Sequence, residues 1–324
     1  MGILIAIVVL VAAAFVVVAI GASREGMSKK GWAVSYILVP AMYGRGKYNP
    51  VEYRSKIAEN HRKGPSVPDA ATQGKFRFSE ENIAGIRVFR LAPKASDSFN
   101  RILYLHGGGY VFDLDIAQLK YVADLVSRTG AEVIVPAYKL APEGKVEEGL
   151  TAVQAVYLKA VGEVGAAHVS ITGDSAGGGM TLALAQRVRD AGQPLPASLV
   201  LIYPWLDVTM SGTDQPALQK RDPFMLMDEL KDSGLMWAGN FSPRKPAVSP
   251  LFGNQKGLPP MMVLVGTRDM LLSDARRLAK QVPSAQVVEY PGMFHAFLVA
   301  PVPEREDAVN KAANFMKQHW PVRQ

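Results

Sequence analysis

The chain reads as an α/β protein built on a doubly wound, mainly parallel sheet. Short apolar runs alternate with helical segments from about residue 100, and a glycine-rich turn, "GDSAGGG", lies between one such run and one such helix. At 324 residues, with 48% hydrophobic and 20% charged residues, the chain has material for one large core.

The first segment is unlike the rest. From Ile3 to Ile20 every residue is apolar or small, and the first charged side chain is Arg24. At about 1.5 Å per residue such a run, with its flanks, spans a hydrocarbon core of roughly 30 Å. A cleaved signal peptide carries a basic stretch before a shorter apolar run, whereas here the basic residues follow it. Residues 1–23 are therefore expected to be a retained N-terminal transmembrane helix, with an export signal as the competing reading. Residues 24–63 hold nine Lys or Arg against three acids, nearly all of the formal net charge of +7. That bias places the catalytic part on the cytoplasmic side and lets residues 24–80, a juxtamembrane and cap segment, rest on anionic headgroups. Basic charge gathered beside a membrane segment, with no nucleic-acid module, gives no reason to expect a nucleic-acid partner.

The remaining residues, 81–324, carry the sheet. Runs at 101–105, 132–136, 168–172, 198–204, 260–266 and 285–292 read as buried strands. "DIAQLKYVADLVSRTG" and "SDARRLAKQV" read as helices between them, the second with Ser273 as its N-cap. Two stretches break the rhythm, 24–80 and about 205–250, and insertions of this kind build lids over sites at the carboxyl edge of a sheet. There is no cysteine, so disulfides, thiolate metal sites and cysteine nucleophiles are excluded. The five histidines form neither HxxxH nor HExxH, and neither glycine run continues as a phosphate loop, so no metal and no cofactor are expected.

"GDSAG" at 173–177 fits GxSxG in the strand-to-helix setting that a nucleophile elbow requires, which makes Ser175 the candidate nucleophile. A serine hydroxyl needs a base, and the base needs an orienting acid. Asp269, after the run at 260–266, and His295, after the run at 285–292, supply them in the order Ser, Asp, His. Asp274 is a rival acid, read more simply as a first-turn helix carboxylate. His168 and His319 are read as structural or solvated. "HGGG", with His106 and Gly107 leading into Gly108 and Gly109, follows the first run, so Gly108 and Gly109, with Ala176, are the expected oxyanion donors. Met210, Phe224, Met225, Met227, Met236 and Trp237 form a Met and aromatic cluster. It reads either as plain core or as an adaptable substrate pocket, with Phe224 and Trp237 as the substrate-binding candidates.

Taken together, "HGGGY", "YKLAPE", "GDSAGGG", "SPLFG", "GLPPMMVLVGTRDMLLSD" and "PGMFHAF" resemble the hormone-sensitive-lipase-like group of α/β-hydrolases, which includes bacterial carboxylesterases and membrane-anchored arylacetamide deacetylases. The likeness covers about residue 80 to the C-terminus. It implies an α/β-hydrolase fold, a Ser175, Asp269 and His295 triad, an oxyanion hole from "HGGG", a helical cap from the two irregular stretches, and hydrolysis of esters with short to medium acyl chains. The chain departs from the group's usual pattern after "APE", where "GKVEEGL" follows. Lactone or amide hydrolysis by the same triad, and a non-catalytic small-molecule receptor on the same fold, are the alternative readings. Oligomeric state is not legible.

Overall fold

The computed structural model describes residues 2–43, 46–95 and 98–322, the side chains of residues 2–13 and 43 excepted. All six expected strands form, and two more precede them: β1 Phe76–Ile83, β2 Ile86–Pro93, β3 Arg101–Leu105, β4 Glu132–Ala137, β5 Val169–Asp174, β6 Ser198–Ile202, β7 Met261–Gly266 and β8 Gln286–Tyr290. They make one sheet in the order β1-β2-β4-β3-β5-β6-β7-β8. β2 runs antiparallel to both β1 and β4, and every other pairing is parallel. From β3 the chain steps outward to β4 and then crosses back to β5 on the other side. The crevice beyond the carboxyl ends of β3 and β5 is thus the topological switch point, where open α/β sheets hold their ligands.

Burial explains which strands were readable. β5, β6 and β7 are buried at every position, because helices cover both faces, and so appear as unbroken apolar runs. β1 alternates half-buried and exposed residues at the open edge and carries Glu80 and Glu81, which pair with Arg87 and Arg90 of β2.

The helices that matter to the site start and stop for local reasons. Ile116–Thr129 begins with a reciprocal capping box between Asp115 and Gln118 and ends at Gly130 in the left-handed region. Leu272–Gln281 begins two residues earlier than expected, with Leu271 at its cap position; Ser273 lies inside it and gives its hydroxyl to Asp214. Ser273 is therefore not an N-cap, since it sits two residues past the cap position, inside the first turn.

Before the sheet, a helix Gly2–Glu25 is followed by Lys29–Ala33, capped by the Ser28 hydroxyl, and by a π-helical turn Val34–Leu38. Among the described residues no helix is long and apolar enough to cross a membrane. The expected anchor over 1–23 thus finds no support there, and the side chains of its first half lie outside the described residues. The N-terminal segment is joined to the body through Glu304, which accepts from the Ser28 amide at 2.6 Å and its hydroxyl at 3.0 Å. The two irregular stretches also meet. Helix Pro50–Lys63 places the Tyr53 hydroxyl 2.8 Å from Ser233 on helix Met227–Ala238, and Tyr48 and Arg54 both bond Asp232.

Candidate active site

β5 delivers the elbow. Ser175, one residue past the strand, holds φ 54° and ψ −119°, a conformation that costs a non-glycine residue about 1–3 kcal/mol and persists only when its surroundings impose it. They do so through the backbone: its N–H donates to Ile202 at 2.9 Å, and its carbonyl accepts from Gly179 and from Trp205. Gly177 is required by close approach, since a Cβ there would lie 1.9 Å from the Leu105 carbonyl oxygen.

The three candidate catalytic side chains converge from three separate loops, with Ser175 more than 90 residues before the other two in sequence. His295 Nε2 is 3.0 Å from Ser175 Oγ, and its Nδ1 is 2.9 Å from Asp269 Oδ2. A carboxylate only accepts, so Nδ1 carries the proton and Nε2 faces the serine hydroxyl as the acceptor. Asp269 is fully buried and its other oxygen accepts from the Leu271 amide at 2.7 Å, which fixes the carboxylate's orientation. Burial alone would lower the His295 pKa. The carboxylates of Asp269, Asp222 and Asp174 outweigh it and hold the imidazole above its ordinary value. Tyr203 presents its ring edge-on to His295, with the centroids 4.8 Å apart.

The glycine loop after β3 stands beside the elbow because β3 and β5 are neighbours, with Leu105 opposite Gly173. Gly108 sits at φ 113°, where a Cβ would meet the Phe112 carbonyl oxygen at 2.4 Å, so the sequence must leave it bare. Gly108 and Gly109 line the same cavity as Ser175 and His295, and Ala176 opens helix Ala176–Asp190. The loop is clamped from behind. Asp174, buried, accepts from the Tyr104 hydroxyl at 2.6 Å, the Gly107 amide at 2.9 Å and Gln118 at 3.1 Å. His106 stacks on Tyr138 at 4.3 Å, and the Tyr138 hydroxyl holds the His106 carbonyl. Burial drives the His106 pKa down to about 4, so this ring stays neutral and serves as a brace.

The cavity encloses about 540 Å³. One wall is apolar, with Phe224, Met225, Leu226, Leu230 and Val299, and the other is polar, with Asp113, Asp115 and Gln118. Phe224 lines the cavity, its ring 6.2 Å from that of His295. Trp237 does not: it is fully buried and stacked flat on Tyr110, with the centroids 4.4 Å apart, so it is core beneath the cap. Met210 and Met236 are core as well, while Met225 reaches the cavity.

Asp274, the rival acid, is occupied elsewhere. It accepts from the amides of Leu206 and Asp207 at 2.9 and 3.0 Å, and burial together with Asp207 pushes its pKa up to about 7. His168 pairs with Asn100, and His319 bonds the Phe315 carbonyl of its own helix. Asp222 escaped the sequence reading altogether. It is a buried carboxylate in the cap insertion that accepts from Met270, the residue after Asp269. No spacing or motif marks it.

A sheet of this order, with a nucleophile elbow after β5 and a histidine after β8, defines an α/β-hydrolase. Residues 102–299 match the family model described as alpha/beta hydrolase fold, and the chain belongs to that family, in its hormone-sensitive-lipase-like group. It is a hydrolase of the carboxylesterase type. An acetyl-hydrolase of Streptomyces hygroscopicus is 33% identical over 224 residues, 67% of this chain and 75% of that one. An esterase of Acinetobacter venetianus is 31% identical over 242 residues, 72% of this chain and 79% of that one. Among solved structures, an esterase/lipase from an uncultured bacterium is 26% identical with a TM-score of 0.78, covering 89% of this chain and 97% of that one.

Proposed function

We propose that the protein hydrolyses carboxylic esters of short to medium acyl chains through a covalent acyl-enzyme on Ser175. The observation that carries this is the unbroken series Ser175 Oγ, His295, Asp269, opening on a cavity that Gly108 and Gly109 also line. His295 Nε2 takes the serine proton as Oγ attacks the ester carbonyl, and Asp269 stabilises the imidazolium. The N–H groups of Gly108, Gly109 and Ala176 receive the oxyanion; removing one such donor costs roughly 3 kcal/mol of transition-state stabilisation. The tetrahedral intermediate collapses, His295 protonates the departing alcohol, and water then releases the acid by the same two proton transfers. The likeness to an acetyl-hydrolase favours a small acyl group.

The test is a series of 4-nitrophenyl esters from acetate to palmitate, comparing wild type with Ser175→Ala. Turnover that favours short chains and disappears in the variant is expected; a Ser175→Ala protein with wild-type rates would overturn the mechanism. We further propose that residues 1–23 anchor the enzyme to a membrane with the catalytic part on the cytoplasmic side, on the strength of the apolar run Ile3 to Ile20 and the basic residues after it. Full-length protein should sediment with membranes and protein lacking 1–23 should not. Recovery of both in the soluble fraction would remove the anchor.

A further inference from the structure

Asp222 lies in the turn between helices Gln215–Gln219 and Met227–Ala238, inside the cap insertion, and is completely buried. Its two carboxylate oxygens point opposite ways in function. Oδ1 accepts from the amides of Phe224 and Met225 at 2.8 and 3.1 Å, two residues of the cavity's apolar wall. Oδ2 accepts from the amide of Met270 at 2.9 Å, in the loop that carries Asp269. One side chain thus fastens the substrate wall to the acid loop.

Its electrical surroundings are equally specific. Of the charges that act on it most strongly, Asp269 disfavours its ionisation and His295 favours it. Arg221 precedes it on its own segment, and Arg268 of the acid loop donates Nε to the Arg221 carbonyl at 3.1 Å. The influence is mutual, for Asp222 is among the carboxylates that hold the His295 imidazole above its ordinary range.

We propose that Asp222 is a second acid of the site: a positioning residue that sets the Phe224 wall against the acid loop and adds negative charge beside the His295 imidazolium. This rests on the triad reading above. Its geometry follows from what Oδ1 and Oδ2 hold. Among the described residues neither oxygen bonds an Arg or Lys, so the carboxylate's charge is left to act on the imidazolium that forms when Ser175 gives up its proton. Burial, with Asp269 adding to it, raises the Asp222 pKa to about 6, which puts the change of its charge next to the histidine's own titration.

The test is the pH dependence of kcat/KM for 4-nitrophenyl acetate and butyrate in the full chain, with Asp222→Asn and Ser175→Ala beside the wild type. Asn keeps the shape and removes the charge. With that charge gone the imidazole loses its proton more readily, so the ascending limb should move to lower pH by about one unit. The KM of the butyrate should rise more than that of the acetate as the Phe224 wall loosens. A variant that merely unfolds more easily while its limb stays in place would overturn the proposal. If Asp222→Asn does not fold, the wild type still decides. The low-field Nδ1 proton of His295 should titrate in two steps as Asp222 and then the imidazole change charge, and a single step would overturn the proposal. Persisting activity in Ser175→Ala would instead sink the triad reading, so the two failures are distinguishable.

Discussion

The guanidinium of Arg268 lies over the ring of Tyr36, 3.9 Å from its centroid, and joins the segment before the sheet to the residue next to Asp269. The same guanidinium donates to the Ser35 carbonyl at 2.5 Å, and the Ser35 hydroxyl donates to Gly292, in the loop that leads to His295. Both loops that carry Asp269 and His295 therefore lean on residues 35–36. A partly buried stack of this kind contributes about 1 kcal/mol. Tyr36→Leu should lower stability by about 1 kcal/mol in urea unfolding and reduce kcat, while the serine still reacts with an organophosphonate. An unchanged midpoint and rate would show that the segment is a passive leader.

The two aspartates of the 269–274 stretch should separate cleanly. Asp269→Asn leaves the imidazole without its orienting acceptor, and kcat should fall by about 10⁴-fold, as in other serine triads. Asp274→Asn still offers an oxygen to the Leu206 and Asp207 amides and should keep kcat within a few-fold. Steady-state kinetics on one nitrophenyl ester decides, and equal losses in both would count against Asp269 as the acid.

The pH profile follows from the direction of the His295 shift. Burial would lower its pKa, but the surrounding carboxylates raise it on balance. The base must be neutral to take the serine proton, so activity should be lost as the pH falls through a midpoint above the ordinary imidazole value of about 6.5. The stability contributed by the protonated ring has the opposite dependence: it is complete below the ordinary value and is lost as the pH rises through the folded one. A profile flat down to about pH 5 would contradict this.

Phe224 and Trp237, alike in sequence, should respond differently to truncation. Phe224→Ala widens the cavity beside His295 and should shift the preferred ester towards longer acyl chains with little loss of stability. Trp237→Ala leaves a hole between Tyr110 and helix Val146–Val164, where Gly149 is bare to admit the indole, and should cost about 3–5 kcal/mol. Chain-length profiles and thermal melts on both variants check it; a Trp237 variant with normal stability and altered specificity would return that residue to the pocket.

The parts of this architecture that could be read from the sequence are those where local pattern and final environment agree. β3 to β7 are buried by helices over most of their length and so read as apolar runs, and the elbow and glycine loop carry their own backbone requirements. β1 escaped because an edge strand has charged residues facing water, as with Glu80, and β2 because Arg87 and Arg90 interrupt its otherwise mostly buried run. Trp237 was misplaced because aromatic and Met side chains look the same in a core and in a pocket. Asp222, Ser35 and Arg268 reach the site through partners more than 40 residues away, and nothing in their neighbours announces it.

The conformation of Ser175 is imposed from Ile202, Gly179 and Trp205 rather than stored in the five letters around it. A peptide or an unrelated scaffold bearing "GDSAG" would relax to an ordinary turn and be chemically inert. For engineers this makes the transplantable unit the pair β5 and β6 with the turn between β6 and Trp205. For anyone scanning genomes, a match to the five letters counts only when the strand that pins them is also present.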